Sequence, residues 1–491
     1  MDTFPDRQLT GRVLIIIAAL WCLPLVADTP TPEEIFSTED LGIARQLREA
    51  GLAGDGGFEI VADLTTRIGP RLAGSPADAK AVAWAQRLLT DMGFDRVWLE
   101  PVTFPAWSRD FERVEIRSPV PQSVQALAIG YSPPTPEGGI EAEVVMLDDL
   151  AALEAVAPEK VAGKIVFIRN RMERARDGSG YGPAVQARAR GALVAAEKGA
   201  AAVLIRSIGT STNRFAHTGG MRFDTGVRRL PAAAISNPDA DQLERLVALG
   251  EPVTVFMEIS AQINETATSH NVIAELTGTD LSDEIIALGA HLDSWDVGTG
   301  ALDDGAGIAI ITEAVDLIRR SGHRPRRSIH VIYFAAEEVG LWGGRAWAEA
   351  HHENFPRYQV AAESDFGTGR IYEISARVVD EAWQVIEAIQ AELAPLGIDL
   401  GGRRAFGGPD FIPSLPYGLA VADLRQDGTT YFDYHHTEND TLDKIDPEDL
   451  AQNAAAYAVF TWLAAQSPIG FGSGERLLAE EAANAAADNN P

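Results

Sequence analysis

The chain has 491 residues, a length that suggests two or three domains rather than one core. Its 46% hydrophobic content and mean hydropathy of −0.04 fit a soluble globular protein and exclude extended disorder. A formal net charge of −30 repels nucleic acid and anionic membrane surfaces and favours metal cations and amine-bearing substrates, although solubility alone accounts for most of it.

The N-terminus reads as a targeting segment. Arg7 and Arg12 precede an apolar run from Val13 to Ala27 that is too short to span a bilayer comfortably. Residues 1–27 are therefore expected to be a signal peptide of a secreted or periplasmic protein, with an uncleaved membrane anchor as the alternative. Cys22, the only cysteine, lies inside this run, and Trp21 before it is too large for a lipoprotein signal. Removal of the run leaves no thiol, so a metal would have to be held by His, Asp and Glu.

After a lead-in rich in Pro and Glu, helices are expected at 38–50 and 58–66. A turn-rich loop covers 68–76, and an amphipathic helix follows at 77–92, with Ala81, Trp84, Leu88 and Leu89 on one side. A strand is expected at 97–102. From about residue 118, short strands (141–147, 164–168, 201–205, 252–259) alternate with Ala-rich helices such as 185–198. This predicts a small α/β domain, 118–263, inserted into a larger one made of 28–117 and 264–470. The insert holds no cluster of metal-ligand residue types, and His217 reads as an isolated loop histidine. Further on, strands at 285–289, 328–334 and 357–361 alternate with a helix at 306–320, on which Ile308, Ile311, Val315 and Ile318 share a face. The alternation predicts an α/β fold with a mostly parallel central sheet covered by helices on both faces. The acidic, Ala-rich tail 471–491 reads as one loosely attached helix or a disordered segment.

Five segments of the second half carry the chemistry. His291 and Asp293 follow a buried strand, where α/β sheets build their sites, and a carboxylate two residues on can orient a histidine ring. Asp303 and Asp304 sit between glycines before a helix; one of them is explained as a helix cap, the pair is not. Glu337 and Glu338 end the next strand, where two adjacent buried acids are expensive unless a metal offsets one and the other carries a proton. Glu363 and Asp365 follow a further strand. His435 and His436 lie in a polar loop, and one functional histidine beside one incidental one is the simpler reading.

In this order, His, Asp, Glu-Glu, Asp and His at strand ends, the segments resemble the M28 family of zinc peptidases. Gly289 to Gly298, Asp303-Asp304-Gly305, Ala336-Glu337-Glu338, Glu363-Ser364-Asp365 and His435-His436-Thr437 carry the likeness. It covers nearly all of the chain after the first segment, including the loop Arg71 to Ser75. The resemblance implies the zinc aminopeptidase (phosphorylase/hydrolase-type) fold with an insert like a protease-associated domain. It implies two Zn²⁺: one held by His291 and Asp365, the other by Glu338 and His436, with Asp303 bridging. Glu337 falls at the general-base position, Asp293 behind His291, and a cis peptide at Asp303–Asp304. The implied substrates are dipeptides or short unblocked peptides, and a homodimer is implied as well. Asp410 is either an anchor for the substrate's amine or, the favoured reading, a helix cap. Tyr431 and Tyr434 are candidates for lining the pocket or assisting the oxyanion, and Trp295 and Asp296 for shaping its mouth. The alternatives are a non-catalytic receptor-like ectodomain and a single-zinc glutaminyl cyclase of the same fold, both disfavoured by the complete ligand set, and an amidohydrolase of acylated amino acids.

Overall fold

Two strands of 23 residues each, Arg96–Ser118 and Thr254–Leu276, pair antiparallel and form the spine of the molecule. Only their ends were readable as strands, because the register shifts at Phe104/Ala106, Arg109/Phe111 and Ile116/Ser118 break the two-residue period on which strand reading depends. Strand Thr254–Leu276 also runs without interruption through the expected boundary at 263. The computed structural model describes residues 31–223, 226 and 228–488. The expected signal segment lies outside the described residues.

The ribbon joins two blocks of parallel strands. On one side, Leu281–His291 lies between Arg327–Phe334 and Tyr358–Glu363, parallel to both, and Val421–Gln426 continues parallel to Tyr358–Glu363. On the other, Ile140–Leu147, Ile165–Ile168, Ala202–Arg206 and Ala232–Ile235 run parallel in that order. The ribbon contacts both blocks antiparallel, and Ile371–Arg377 is antiparallel to Val421–Gln426. The sheet is therefore mixed rather than mostly parallel. Strand direction follows from crossovers that hydropathy does not record.

Every residue of Arg327–Phe334 and of Tyr358–Glu363 is buried, as expected of strands covered on both faces. Helix Ala306–Arg320 is buried from Ala306 to Ile318. Helix Pro447–Gln466 is buried from Leu450 onward, and its alanines let helix Thr38–Ala53 approach so closely that a β-carbon on Gly51 would lie 2.7 Å from the Ala455 α-carbon. The acidic tail forms helix Glu475–Asp488, docked by buried Leu477 and by ion pairs Arg377–Glu481 and Arg476–Glu381. No described helix is long and apolar enough to cross a membrane.

Pairing of His291 with Phe334 and of Gly289 with Glu363 brings three parallel strands to one edge at their carboxyl ends. The segments that follow those strands carry the acids and histidines singled out above.

Candidate metal centre

His291 ends its strand wholly buried. Its Nδ1 lies 3.0 Å from the main-chain oxygen of Asp293, and a carbonyl can only accept, so the proton sits on Nδ1 and the lone pair on Nε2. That lone pair faces Asp303 Oδ1 at 3.1 Å and Asp365 Oδ1 at 3.6 Å. The Asp293 carboxylate stands 3.7 Å from Nδ1 and accepts the Glu337 N–H at 3.0 Å, so it ties the histidine segment to the glutamate pair.

The Asp303–Asp304 peptide is cis. Asp304 turns inward, accepting N–H groups from His291 (3.1 Å) and Gly307 (2.9 Å) and so capping helix Ala306–Arg320. Asp440 accepts the N–H groups of Ala301, Leu302 and Asp303, which holds the turn from the opposite side. Arg71, from the turn-rich loop, is fully buried and donates to the carbonyls of Leu292, Thr299 and Gly300, tying the two segments together. These bonds leave the Asp303 carboxylate free to face both histidines.

Its second oxygen, Oδ2, lies 3.3 Å from His436 Nε2, and Glu338 Oε2 lies 2.9 Å from the same nitrogen. His436 Nδ1 donates to the Thr218 carbonyl at 3.2 Å, so this ring too presents a lone pair at Nε2. His435 stacks on His436 with centroids 3.5 Å apart, and its Nε2 is 3.7 Å from Asp303 Oδ2. Two groups can each close around one ion: His291, Asp303 and Asp365, and Asp303, His435 and His436. Glu338, outside these two groups, comes closer to His436 (2.9 Å) than His435 comes to Asp303 (3.7 Å).

The donors fit a metal. Each imidazole meets carboxylate oxygens lone pair to lone pair, a contact that requires a positive charge between them, either a proton or a metal ion. Asp303 Oδ2 and Glu338 Oε1 are buried without a hydrogen-bond partner, an expensive state for anionic oxygens. In the absence of a metal, burial pushes Glu338 up to about 7, reinforced by Asp303. Burial alone would lower His436, but Glu338 and Asp303 outweigh it and raise the ring to about 9. All the donors are oxygen or nitrogen, the set that suits zinc with positions left open.

The centre floors a cleft of about 590 Å³, with Glu337 beside Asp303, Glu338 and Asp365. Burial raises Glu337 well above the usual carboxylate range. Tyr431 lines the cleft against Phe366, whereas Tyr434 does not line it and packs beside Lys444. Asp410 is fully buried and caps helix Trp342–His351 through Gly344 N–H at 3.1 Å, the favoured of its two readings. Trp295 and Asp296 do not form the mouth. Trp295 is buried with its ring 5.7 Å from that of His436, and Asp296 binds Arg109.

Sequence reasoning missed the contribution of residues 119–253. Tyr181, Arg188, Arg222 and Phe223 wall the cleft. His217 lies in a loop, as expected, but is not isolated. It is buried, burial lowers its pKa to about 4, and Nδ1 of the neutral ring donates to the His435 carbonyl at 2.8 Å. One signal was available. On helix Tyr181–Glu197 the buried stripe reads Ala184, Ala187, Arg188, Gly191, Ala192, Val194, Ala195, with a lone arginine among apolar, mostly small residues.

Residues 271–461 match the model of peptidase family M28. Carboxypeptidase Q of Bos taurus is 34% identical over 415 residues, covering 84% of this chain and 86% of that protein. Carboxypeptidase Q of Homo sapiens is 33% identical over 434 residues, covering 88% and 90%. Among solved structures, a peptidase M28 precursor from Shewanella amazonensis SB2B is 48% identical, with a TM-score of 0.86 over 88% of this chain and 98% of that one. An aminopeptidase from Aneurinibacillus sp. strain AM-1, 23% identical with a TM-score of 0.60 over 87% and 97%, shares the fold. The chain thus belongs to peptidase family M28 and is a metallo-exopeptidase.

Proposed function

We propose that the chain is a secreted or periplasmic dinuclear zinc exopeptidase that hydrolyses dipeptides or short unblocked peptides, and that residues 118–263 are an inserted domain of the protease-associated kind. A homodimer is part of this reading. One observation carries it: the two oxygens of Asp303 face different donor sets, His291 with Asp365 on one side and Glu338 with His436 on the other. One carboxylate between two such sets suits a bridging role.

Bound there, zinc would supply Lewis acidity toward the scissile carbonyl and the attacking water. The protein's residues perform the rest. Glu337, on the cleft floor with its main chain held by Asp293, takes a proton from the attacking water and delivers it to the nitrogen of the leaving amine. The water oxygen bonds to the carbonyl carbon as the C–N bond breaks. Asp293 acts as a positioning residue for both His291 and Glu337. Tyr431, which lines the cleft, donates its hydroxyl to the developing oxyanion in this reading. A cleft of about 590 Å³ accommodates a dipeptide or short peptide rather than a folded chain.

The test is metal content together with hydrolysis of a dipeptide panel by the purified chain. The reading expects two zinc ions per chain and activity abolished by a chelator and restored by zinc. Hydrolysis indifferent to chelation and to Glu337→Gln, or a well-folded sample that binds no metal, overturns it.

A further inference from the structure

We propose that residues 119–253 complete one half of the metal centre. The main chain of Thr218, held in place by Arg188 and Arg109, sets the tautomer and position of His436, so metal binding by the Asp303–Glu338–His436 half depends on this segment. The inference rests on the dinuclear reading above.

Thr218 grips His436 at two points. Its N–H donates to the His436 carbonyl at 3.0 Å, and its own carbonyl accepts the His436 Nδ1–H at 3.2 Å. The second bond fixes the proton on Nδ1 and aims Nε2 at Glu338 and Asp303. His436 has φ of 61°, a left-handed backbone that residues with a β-carbon rarely adopt and keep only where their surroundings hold it. The Thr218 grip is such a hold.

Thr218 is itself fixed from two sides. Its hydroxyl donates to the Ala128 carbonyl at 2.8 Å and accepts from Arg109, whose guanidinium is clamped by both oxygens of Asp296 at 2.8 and 2.9 Å. From the cleft side, Arg188 Nη1 donates to the Thr218 carbonyl at 3.2 Å. Arg188 lies 3.4 Å from His436 Nδ1 as well, because both groups donate to that one carbonyl.

Arg188 is an unusual residue to bury. Among the described residues it has no carboxylate partner: Nη2 donates to the Tyr181 hydroxyl and Nε has no partner at all. A desolvated guanidinium without a counter-charge costs stability, so its place in an apolar stripe points to a role. It also packs flat against Gly219, where an added β-carbon would lie 2.2 Å from Nη1 and where φ is +132°. The rest of the histidine loop is attached to the same segment, through Thr210 N–H to the Phe432 carbonyl and through Arg174 to Asp433. The two halves of the centre therefore differ. His291 takes its tautomer from Asp293 two residues along the chain, whereas His436 takes its tautomer from a residue 218 positions away.

The experiment measures zinc per chain during chelator competition on the full, zinc-loaded protein, with melting curves as a check on folding. Wild type is expected to hold two zinc ions. Arg188→Met is expected to release one of them at a chelator concentration roughly ten- to a hundredfold lower, the usual effect of removing a group that orients a metal ligand, and to keep the other. Thr218→Val cuts the link to Arg109 while preserving shape and main chain. It is expected to shift the same ion in the same direction by less, and it carries the test if Arg188→Met does not fold. Arg188→Lys, which keeps one donor, should recover part of the affinity. The inference is overturned if folded Arg188→Met and Thr218→Val both retain two ions with wild-type affinity, or if they lose both ions together. A folded wild-type chain that binds fewer than two ions overturns the dinuclear reading, and this inference with it.

Discussion

Asp303 and Asp304 are chemically identical neighbours with different tasks, and their hydrogen bonds separate them. Asp304 spends its oxygens on two buried N–H groups, whereas Asp303 keeps both for the histidines. The glutamate pair divides in the same way: Glu338 faces His436 and Glu337 faces the open cleft. Glu337→Gln should therefore keep its metal and lose about 10²- to 10⁴-fold in kcat, the range for removal of a general base. Glu338→Gln should lose metal, read as zinc per chain after dialysis. Equal metal loss in both variants would contradict the assignment. The histidine pair was only half legible in the sequence, because the choice between His435 and His436 depends on Thr218, more than two hundred residues away.

At the scale of elements, helix Thr38–Ala53 meets helix Pro447–Gln466 at a point where only glycine fits. Gly51→Ala gains about 1 kcal/mol of helix propensity, but the new methyl would sit 2.7 Å from a backbone carbon, and overpacking of that kind costs about 1–3 kcal/mol. A net loss of stability with unchanged zinc content is expected, measurable by denaturant melts of the metal-loaded chain. A neutral or stabilising result would mean the helices separate easily. The strands carrying the ligands were legible because burial on both faces leaves continuous apolar runs that end abruptly in charge, as in Val331 to Ala336 before Glu337. The long ribbon was not, since its bulges reset the alternation three times. Segment 119–253 contributes mostly main-chain groups and one arginine to the centre. A carbonyl such as that of Thr218 leaves no mark in a sequence, so apart from that arginine this contribution was invisible to motif reading.

At the scale of the whole molecule, the centre couples stability to pH and to metal. With the metal removed, Glu338 has its folded pKa raised to about 7 by burial and by Asp303, and Asp440 is raised to about 7 by burial and by the same carboxylate. An acid whose pKa is higher in the folded state contributes stability that is full below its unfolded value, about 4, and is lost as pH rises through 7. His436, raised to about 9, acts in the same direction: its contribution is full below about 6.5 and lost as pH rises through 9. Glu275 is the opposite case. Its hydrogen bond with His330 lowers it to about 2, so its contribution is lost only as pH falls toward 2, outside the range of interest. His217, lowered by burial to about 4, loses its contribution as pH falls from about 6.5 through 4 and offsets part of the slope below pH 6.5. The chelated chain is therefore expected to melt at a progressively lower temperature from pH 5 to pH 8. Zinc should remove most of that slope, because the cation replaces the protons that these carboxylates would otherwise share and binds more firmly as they ionise. Thermal melts at pH 5, 6, 7 and 8, with and without chelator, check this. Parallel slopes in the two series would mean that the buried acids are not coupled to the metal, and the assignment of Glu338 as a ligand would then be lost.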